Sequence, residues 1–298
     1  MHTNTRPDTG RILDGKAIAT ELQSDIAAQI RTHTDQGRRA PGLAVVQVGQ
    51  DPASAIYVQR KSNACDAVGI ASTVHTLPED TDQDSLCALI HTLNADPSID
   101  GILVQLPLPA HINTHRVLDT VAPHKDVDGF HPHNMGLLAQ RRPLLRPCTP
   151  YGIMKMLEHA RINVHGKHAV MVGTSDIVGR PMALELLLAN ATVTLCHKYT
   201  QDLAQHIQQA DILIVAIGKT GVIDSDWIQP GTIVIDVGIN RMTNRRIVGD
   251  IDFETARPRA AWITPVPGGV GPMTVTMLLH NTLTAYSKMP MPYHDSPA

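Results

Sequence analysis

The chain has 298 residues, 43% of them apolar and 18% charged, which suits two folded domains and excludes a disordered polymer. A formal charge of −3 and the lack of a long basic run argue against nucleic acid or a membrane surface as the main partner. No apolar stretch nears the roughly 20 residues that span a bilayer, and the four scattered cysteines (Cys65, Cys87, Cys148, Cys196) form no C-x-x-C pair, so buried, reduced thiols in a cytoplasmic protein are expected.

Met1 to Gly10 is polar and lacks the apolar segment of a secretory signal. Ile18, Leu22, Ile26 and Ile30 then recur at i, i+4 and predict a first helix after Asp14-Gly15. Gly42 to Val48 reads as a buried strand, and Asp51-Pro52 opens a helix reaching about Val68. A strand at Ala71 to Leu77, a helix at Asp84 to Asn94 and a strand at Gly101 to Gln105 complete one α/β unit. Pro107 to Pro150 is proline- and histidine-rich and less periodic, and reads as site loops with the domain boundary. A helix from Thr149-Pro150 follows, then strands at His168 to Gly173, Thr192 to Cys196, Ile212 to Ile217, Thr232 to Val237 and Trp262 to Thr264. A helix carrying Leu184, Leu187 and Leu188 lies between the first two of these strands, and a last helix runs from about Met273 to Ser287. The expected fold is therefore two α/β domains, 11–147 and a Rossmann-type 148–273, with an active-site cleft between them and 274–298 packing back on the first.

Strand, then Gly173-Thr174-Ser175-Asp176-Ile177-Val178-Gly179, then helix is the setting of a phosphate-binding turn. Ser175 stands where the middle glycine of G-x-G-x-x-G falls, so an ordinary strand-to-helix turn stays open as a reading. The next strand ends in Cys196-His197-Lys198-Tyr199-Thr200, without the acid that binds a ribose 2′-hydroxyl. Lys198 is either an attractor for the 2′-phosphate of NADP or a solvated surface lysine.

Tyr57 and Lys61 share a helix face at i, i+4. Lys61 is either an acid/base group tuned by burial or an exposed lysine covering an aromatic ring. Gln105 closes a buried apolar strand at the edge where ligands bind. Lys125-Asp126-Val127-Asp128-Gly129 places two carboxylates in a tight turn; Asp126 fits turn chemistry, and Asp128 fits paired hydrogen bonds from an aminopyrimidinone edge.

These residues, together with Asp100 to Pro109, Pro147 to Pro150, Ile177 to Pro181, Asp236 to Asn240 and Pro265 to Thr274, resemble the bifunctional methylenetetrahydrofolate dehydrogenase/cyclohydrolase family from about Leu13 to Tyr286. The resemblance implies NADP-dependent oxidation of 5,10-methylenetetrahydrofolate and hydrolysis of the methenyl product by a homodimer. It makes Lys61 the acid/base group of hydrolysis, oriented by Gln105, with Tyr57 stacking on the folate and Ser54 nearby. Asp128 would anchor the pterin, and the loop holding Pro267, Gly268 and Gly269 would line the meeting place of folate and nicotinamide. Gly173, Ser175, Ile177, Lys198 and Ile239 would contact the dinucleotide, with Thr174, Val178, His197 and Thr274 beside it. Thr174 stands where many members carry arginine, a loss that Lys198 offsets.

Three rivals make different demands. An amino-acid or hydroxy-acid dehydrogenase needs a regular glycine fingerprint and has no use for Gln105 and Asp128 together. A metal protein would draw on the sixteen histidines, among them His111 and His115 at i, i+4, yet no cysteine pair or H-E-x-x-H accompanies them, and no metal is expected. Retention of Lys61, Gln105 and Asp128 argues against a folate-binding paralogue that has lost catalysis.

Overall fold

The computed structural model describes residues 10–49 and 52–288, with side chains from residue 57 to residue 287 in the second span. In chain order the elements are β1 (Arg11–Ile12), α1 (Gly15–Asp35), β2 (Gly42–Val48), α2 (Pro52–Val68), β3 (Ala71–Leu77), α3 (Gln83–Ala95), β4 (Gly101–Val104), α4 (Thr114–Thr120) and α5 (Pro132–Ala139). They continue as α6 (Cys148–His159), β5 (His168–Val172), α7 (Gly179–Leu188), β6 (Thr192–Cys196), α8 (Leu203–Gln208), β7 (Ile212–Val215) and β8 (Thr232–Asp236). The chain then forms β9 (Asn240–Arg241), β10 (Ile247–Val248), α9 (Phe253–Ala256), β11 (Ala260–Ile263) and α10 (Val270–Lys288).

The chain divides into two compact units. The smaller takes Ser24–Pro132 and the chain from Leu278 onward. Its sheet is parallel, in the order β3-β2-β4. Every residue of the central strand β2 is buried, which is why Gly42 to Val48 reads as an apolar run, broken only by Gln47, rather than an alternating one. Ala44, Val46 and Val48 pack in one cluster with Leu86, Ile90 and Leu93 of α3 and Val117 of α4. At the start of the sheet, Arg39 holds the fully buried Asp100 through two guanidinium nitrogens at 2.6 and 2.7 Å, and Asp100 also accepts the Gly42 N–H at 2.7 Å. A buried carboxylate satisfied in this way ties the entries of β2 and β4 together.

The larger unit takes the chain up to Gln23 and His133–Met277. Its six strands run parallel in the order β1-β11-β8-β7-β5-β6, joined by a separate antiparallel pair, β9-β10. Strand order reverses beside β5: β6 follows it on one side, and β7 pairs on the other. That reversal point is where a doubly wound sheet opens a crevice at the carboxyl ends of its strands.

Unit boundaries differ from a contiguous division at 147 and 273. The two-residue strand β1 pairs with β11, which takes the start of the chain into the larger unit. Two residues carry too little periodicity to announce a strand, and their partners lie some 250 positions away. The end of α10 belongs to the smaller unit: Asn281 Nδ2 donates to the Val127 carbonyl at 2.9 Å and the Tyr286 hydroxyl to the Arg39 carbonyl at 2.9 Å. The 107–150 segment, expected as loops, contains α4 and α5. The start of α4 is set by the side chain of Asn113, which accepts the Arg116 N–H at 3.1 Å.

Candidate functional site

In the smaller unit, α2 carries Tyr57 and Lys61 one turn apart, and β4 delivers Gln105 directly after its last residue. The Gln105 N–H still pairs with the Val46 carbonyl at 2.8 Å, so the side chain leaves the sheet at its carboxyl edge with its backbone fixed. Lys61 Nζ donates to Gln105 Oε1 at 3.0 Å, and Gln105 Nε2 donates to the Leu106 carbonyl at 2.7 Å. The second bond orients the amide so that its oxygen, not its nitrogen, meets the lysine. Lys61 is half-buried and hydrogen-bonded, which decides against a free surface lysine; Tyr57 keeps 38% of its surface exposed. The Ser54 side chain lies outside the described residues.

The Lys125–Gly129 turn separates its two carboxylates by role. Asp126 is buried and bonded to backbone: Oδ1 accepts from Gly129 and Phe130 at 3.2 and 3.3 Å, and Oδ2 from His131 at 2.8 Å. Asp128 is half-buried, and among the described residues no donor hydrogen-bonds its carboxylate. Burial pushes its carboxyl up to about 6; the positive Lys61 counters this, and Asp126 adds to it. The turn is held from below by Lys125, whose buried ammonium donates to the Leu93 and Asp96 carbonyls at 3.2 and 2.7 Å, and whose pKa burial lowers. Lys125 and Asn281 are supports that pattern reading missed: a lysine beside two aspartates reads as a surface charge, and Asn281 is distant in sequence.

In the larger unit, the turn after β5 is built around its glycines. Gly173 has φ of 117°, and a Cβ there would overlap the Ala216 carbonyl at the end of β7. A Cβ at Gly179 would overlap the Gly173 carbonyl. Backbone thus packs on backbone at the point where strand order reverses. The Ser175 hydroxyl accepts the N–H groups of Val178 and Gly179 at 3.2 and 3.3 Å, so two donors expected to be free at the helix start are capped by the protein itself. Ser175, Asp176 and Ile177 are exposed, and Thr174 and Val178 half-buried; Asp176 pairs with Arg180 at 3.1 Å.

After β6, His197 closes a turn: its N–H donates to Thr200 Oγ1 at 2.9 Å, and its Nδ1 accepts the Tyr199 N–H at 3.2 Å. Lys198 is exposed, its ammonium 4.8 Å from the centre of the Tyr199 ring, and among the described residues it forms no ion pair. Ile239, in the loop after β8, is 51% exposed. The Pro265–Gly269 turn bonds to the start of α1 through Lys16 N–H to the Gly268 carbonyl at 2.9 Å. Pro267 is exposed and Gly268 half-buried with φ of 107°, while Gly269 is buried and serves the turn. Thr274 is hydrogen-bonded to Thr149 of α6 at 2.9 Å. Tyr57, Lys61, Gln105 and Asp128 thus belong to the smaller unit; Pro267, Gly268, Gly269 and every residue assigned to the dinucleotide belong to the larger.

Two further buried carboxylates received no role from the sequence, although Asp236 opens one of the motifs that carry the resemblance. Asp236, the last residue of β8, accepts the N–H groups of Gly238, Asp250 and Ile251 at 2.9, 3.0 and 2.8 Å. Asp250 accepts the N–H groups of Ile217 and Gly218 at 2.6 and 2.9 Å, and Asn240 Nδ2 at 2.8 Å. Burial pushes the Asp236 carboxyl up to about 6 against these donors. A polar residue ending an apolar strand was the available signal, as it was for Gln105. Among the described residues, no group of three or more His, Cys, Asp or Glu is arranged to hold a metal ion.

The chain matches a model of the tetrahydrofolate dehydrogenase/cyclohydrolase catalytic domain over residues 13–128, and one of the family's NAD(P)-binding domain over residues 147–289. Among solved structures it is 48% identical to the bifunctional enzyme FolD-methylenetetrahydrofolate dehydrogenase/cyclohydrolase from Campylobacter jejuni, with a TM-score of 0.91 over 93% of this chain and 99% of that one. A 5,10-methylenetetrahydrofolate dehydrogenase from the silkworm Bombyx mori is 42% identical, TM-score 0.88, over 94% and 99% of the two chains. The Trypanosoma brucei dehydrogenase-cyclohydrolase, complexed with NADP cofactor and inhibitor, is 37% identical, TM-score 0.89, over 94% and 98%.

Proposed function

The chain belongs to the tetrahydrofolate dehydrogenase/cyclohydrolase family, and on that premise we propose that its own residues oxidise 5,10-methylenetetrahydrofolate with NADP and then hydrolyse the methenyl product to 10-formyltetrahydrofolate. The observation that carries this reading is the Lys61–Gln105 hydrogen bond beside the open carboxylate of Asp128.

NADP, when bound, supplies the hydride acceptor. The turn fits a dinucleotide because Gly173 and Gly179 let backbone pack on backbone where strand order reverses, and because no acid ends β6. Gly173, Thr174, Ser175, Ile177 and Val178 would hold the diphosphate side, His197 and Lys198 the 2′-phosphate, and Ile239 and Thr274 the nicotinamide end. On the folate, Tyr57 stacks, Asp128 takes the paired donors of the pterin, Ser54 lies nearby, and Pro267, Gly268 and Gly269 line the reacting end. Oxidation asks the protein chiefly for position, since the folate nitrogen lone pairs expel the hydride. Hydrolysis asks for proton transfer: as water adds to the methenyl carbon, the neutral amine form of Lys61 takes one proton and returns it to the folate nitrogen whose bond to that carbon breaks, while the remaining hydroxyl proton leaves to solvent as the formyl C=O forms. Gln105 holds Nζ on line for both transfers.

Four buried cysteines that form no disulfide support work in the reducing cytoplasm. No helix among the described residues is long and apolar enough to cross a membrane. The net charge of −3 supports no nucleic-acid partner. The family resemblance supports a homodimer, and the 10-formyl product suits formyl transfer in purine biosynthesis.

Incubation with methylenetetrahydrofolate and either NADP or NAD, following reduced cofactor and methenyl together, tests the reading. NADP reduction without methenyl accumulation is expected. Reduction with persistent methenyl removes the cyclohydrolase, and no turnover with either cofactor overturns the proposal.

A further inference from the structure

We propose that Asp236 and Asp250 are positioning residues for the dinucleotide, locking the loop that carries Ile239 and the turn after β7 into one rigid shelf at the carboxyl edge of the larger sheet. This inference rests on the functional reading above and goes beyond it, because that reading gives neither residue a role.

Three segments meet here: the ends of β7 and β8, and the chain leaving β10. Neither sheet pairing nor helix capping connects the Ile217–Gly218 turn to the Gly238–Asn240 loop. The two carboxylates do. Between them they accept six hydrogen bonds, three each, five from backbone N–H groups and one from the Asn240 amide. Asn240 Nδ2 also donates to the Gly249 carbonyl at 3.0 Å, which closes the far side of the loop.

The backbone is shaped around the carboxylates as closely as they are bonded to it. A Cβ at Gly238 would overlap Asp250 Oδ1, and a Cβ at Gly249 would overlap Asp236 Oδ2. In the loop they hold, Gly238 and Asn240 are tied down on either side of Ile239, whose side chain is left half in solvent. An apolar side chain on a fixed backbone at this edge is a preformed contact for a flat heteroaromatic ring. The Ile217–Gly218 turn continues from Ala216, whose carbonyl packs on Gly173, so the shelf is continuous with the phosphate-binding turn.

Energetics favour a positional role over a merely stabilising one. Two buried carboxylates with no cation in the network, Asp236 at 4% and Asp250 at 1% exposure, cost desolvation energy that an apolar pair would not. What they supply is a unique arrangement of N–H groups that apolar side chains cannot specify.

The bifunctional reaction contains its own control, because hydrolysis of the methenyl group requires no dinucleotide. Asp250→Asn either turns the acceptor toward Asn240 into a donor or loses the N–H bonds of both Ile217 and Gly218, whichever way the amide sits. NADP affinity measured by calorimetry is expected to fall about tenfold, with a matching rise in the dinucleotide KM, an unchanged folate KM and cyclohydrolase activity within about twofold. Asn240→Ala, which removes the two part-buried hydrogen bonds of that amide, is expected to weaken NADP about threefold. Unaltered NADP affinity in Asp250→Asn overturns the proposal. If that variant loses both activities and its Tm together, Asn240→Ala decides: weaker NADP binding with intact hydrolysis supports the shelf, and equal loss or no loss of both overturns it. Wild-type protein measured alongside separates the two claims. Failure of wild type to bind NADP sinks both, whereas wild-type binding with indifferent variants sinks only this one.

Discussion

On the proposed reading the smaller unit meets a ligand with side chains: Tyr57 and Lys61 on α2, Gln105 past β4, and Asp128 in a turn held by Lys125 and Asn281. The larger unit offers mainly backbone, a turn that exists only because Gly173 and Gly179 lack a Cβ, and a loop whose shape is set by buried Asp236 and Asp250. In the first region, replacing one side chain removes chemistry and leaves the frame. In the second, replacing almost any residue moves the frame.

The strongest way to break that contrast is Lys61→Met, which keeps the volume of the stem and removes the amine. Hydrolysis is expected to fall by about 10²–10⁴ while reduced cofactor still forms, so methenyl accumulates in the absorbance trace. A parallel collapse of both steps would show that Lys61 serves the frame instead. Gly179→Ala probes the other side: the new methyl forces the turn away from the Gly173 carbonyl, at a strain of about 1–3 kcal/mol. NADP binding should weaken roughly ten- to a hundredfold with hydrolysis retained, and calorimetry giving wild-type affinity would falsify the glycine argument.

Lys198→Ala sharpens the comparison, since Lys198 is the side-chain contribution in a region otherwise built from backbone. The KM for NADP is expected to rise about tenfold, with the KM for NAD nearly unchanged; equal shifts for both would assign Lys198 to general attraction. The smallest effect concerns stability. Because the Asp128 carboxyl is raised to about 6 in the folded chain, the folded state binds its proton more tightly than the unfolded one, and the fold loses stability as pH rises from about 4 to about 6. Asp128→Asn removes that loss, so Tm should rise by about 2–4 °C at pH 7.5 and little at pH 4.5, while the folate KM increases. A Tm that responds equally at both pH values would mean that burial of this carboxylate is not what costs stability.

Local pattern alone determined the main strands and helices. Gly42–Val48, Ala71–Leu77 and Thr192–Cys196 appear with the bounds read from sequence, although only the first is buried throughout and the edge strands β3 and β6 carry exposed and polar positions. Tyr57 and Lys61 on one helix face, Gln105 at a strand end and the Gly173–Gly179 turn were legible because each rests on spacing along a single element. What lies between distant segments was not. β1 is defined only by β11, the Lys125 ammonium only by carbonyls of α3 and the residue after it, and Asp250 only by turns some 10 to 33 residues away. Spacing records what neighbours share along the chain; a carboxylate's role depends on which donors the folded chain brings to it.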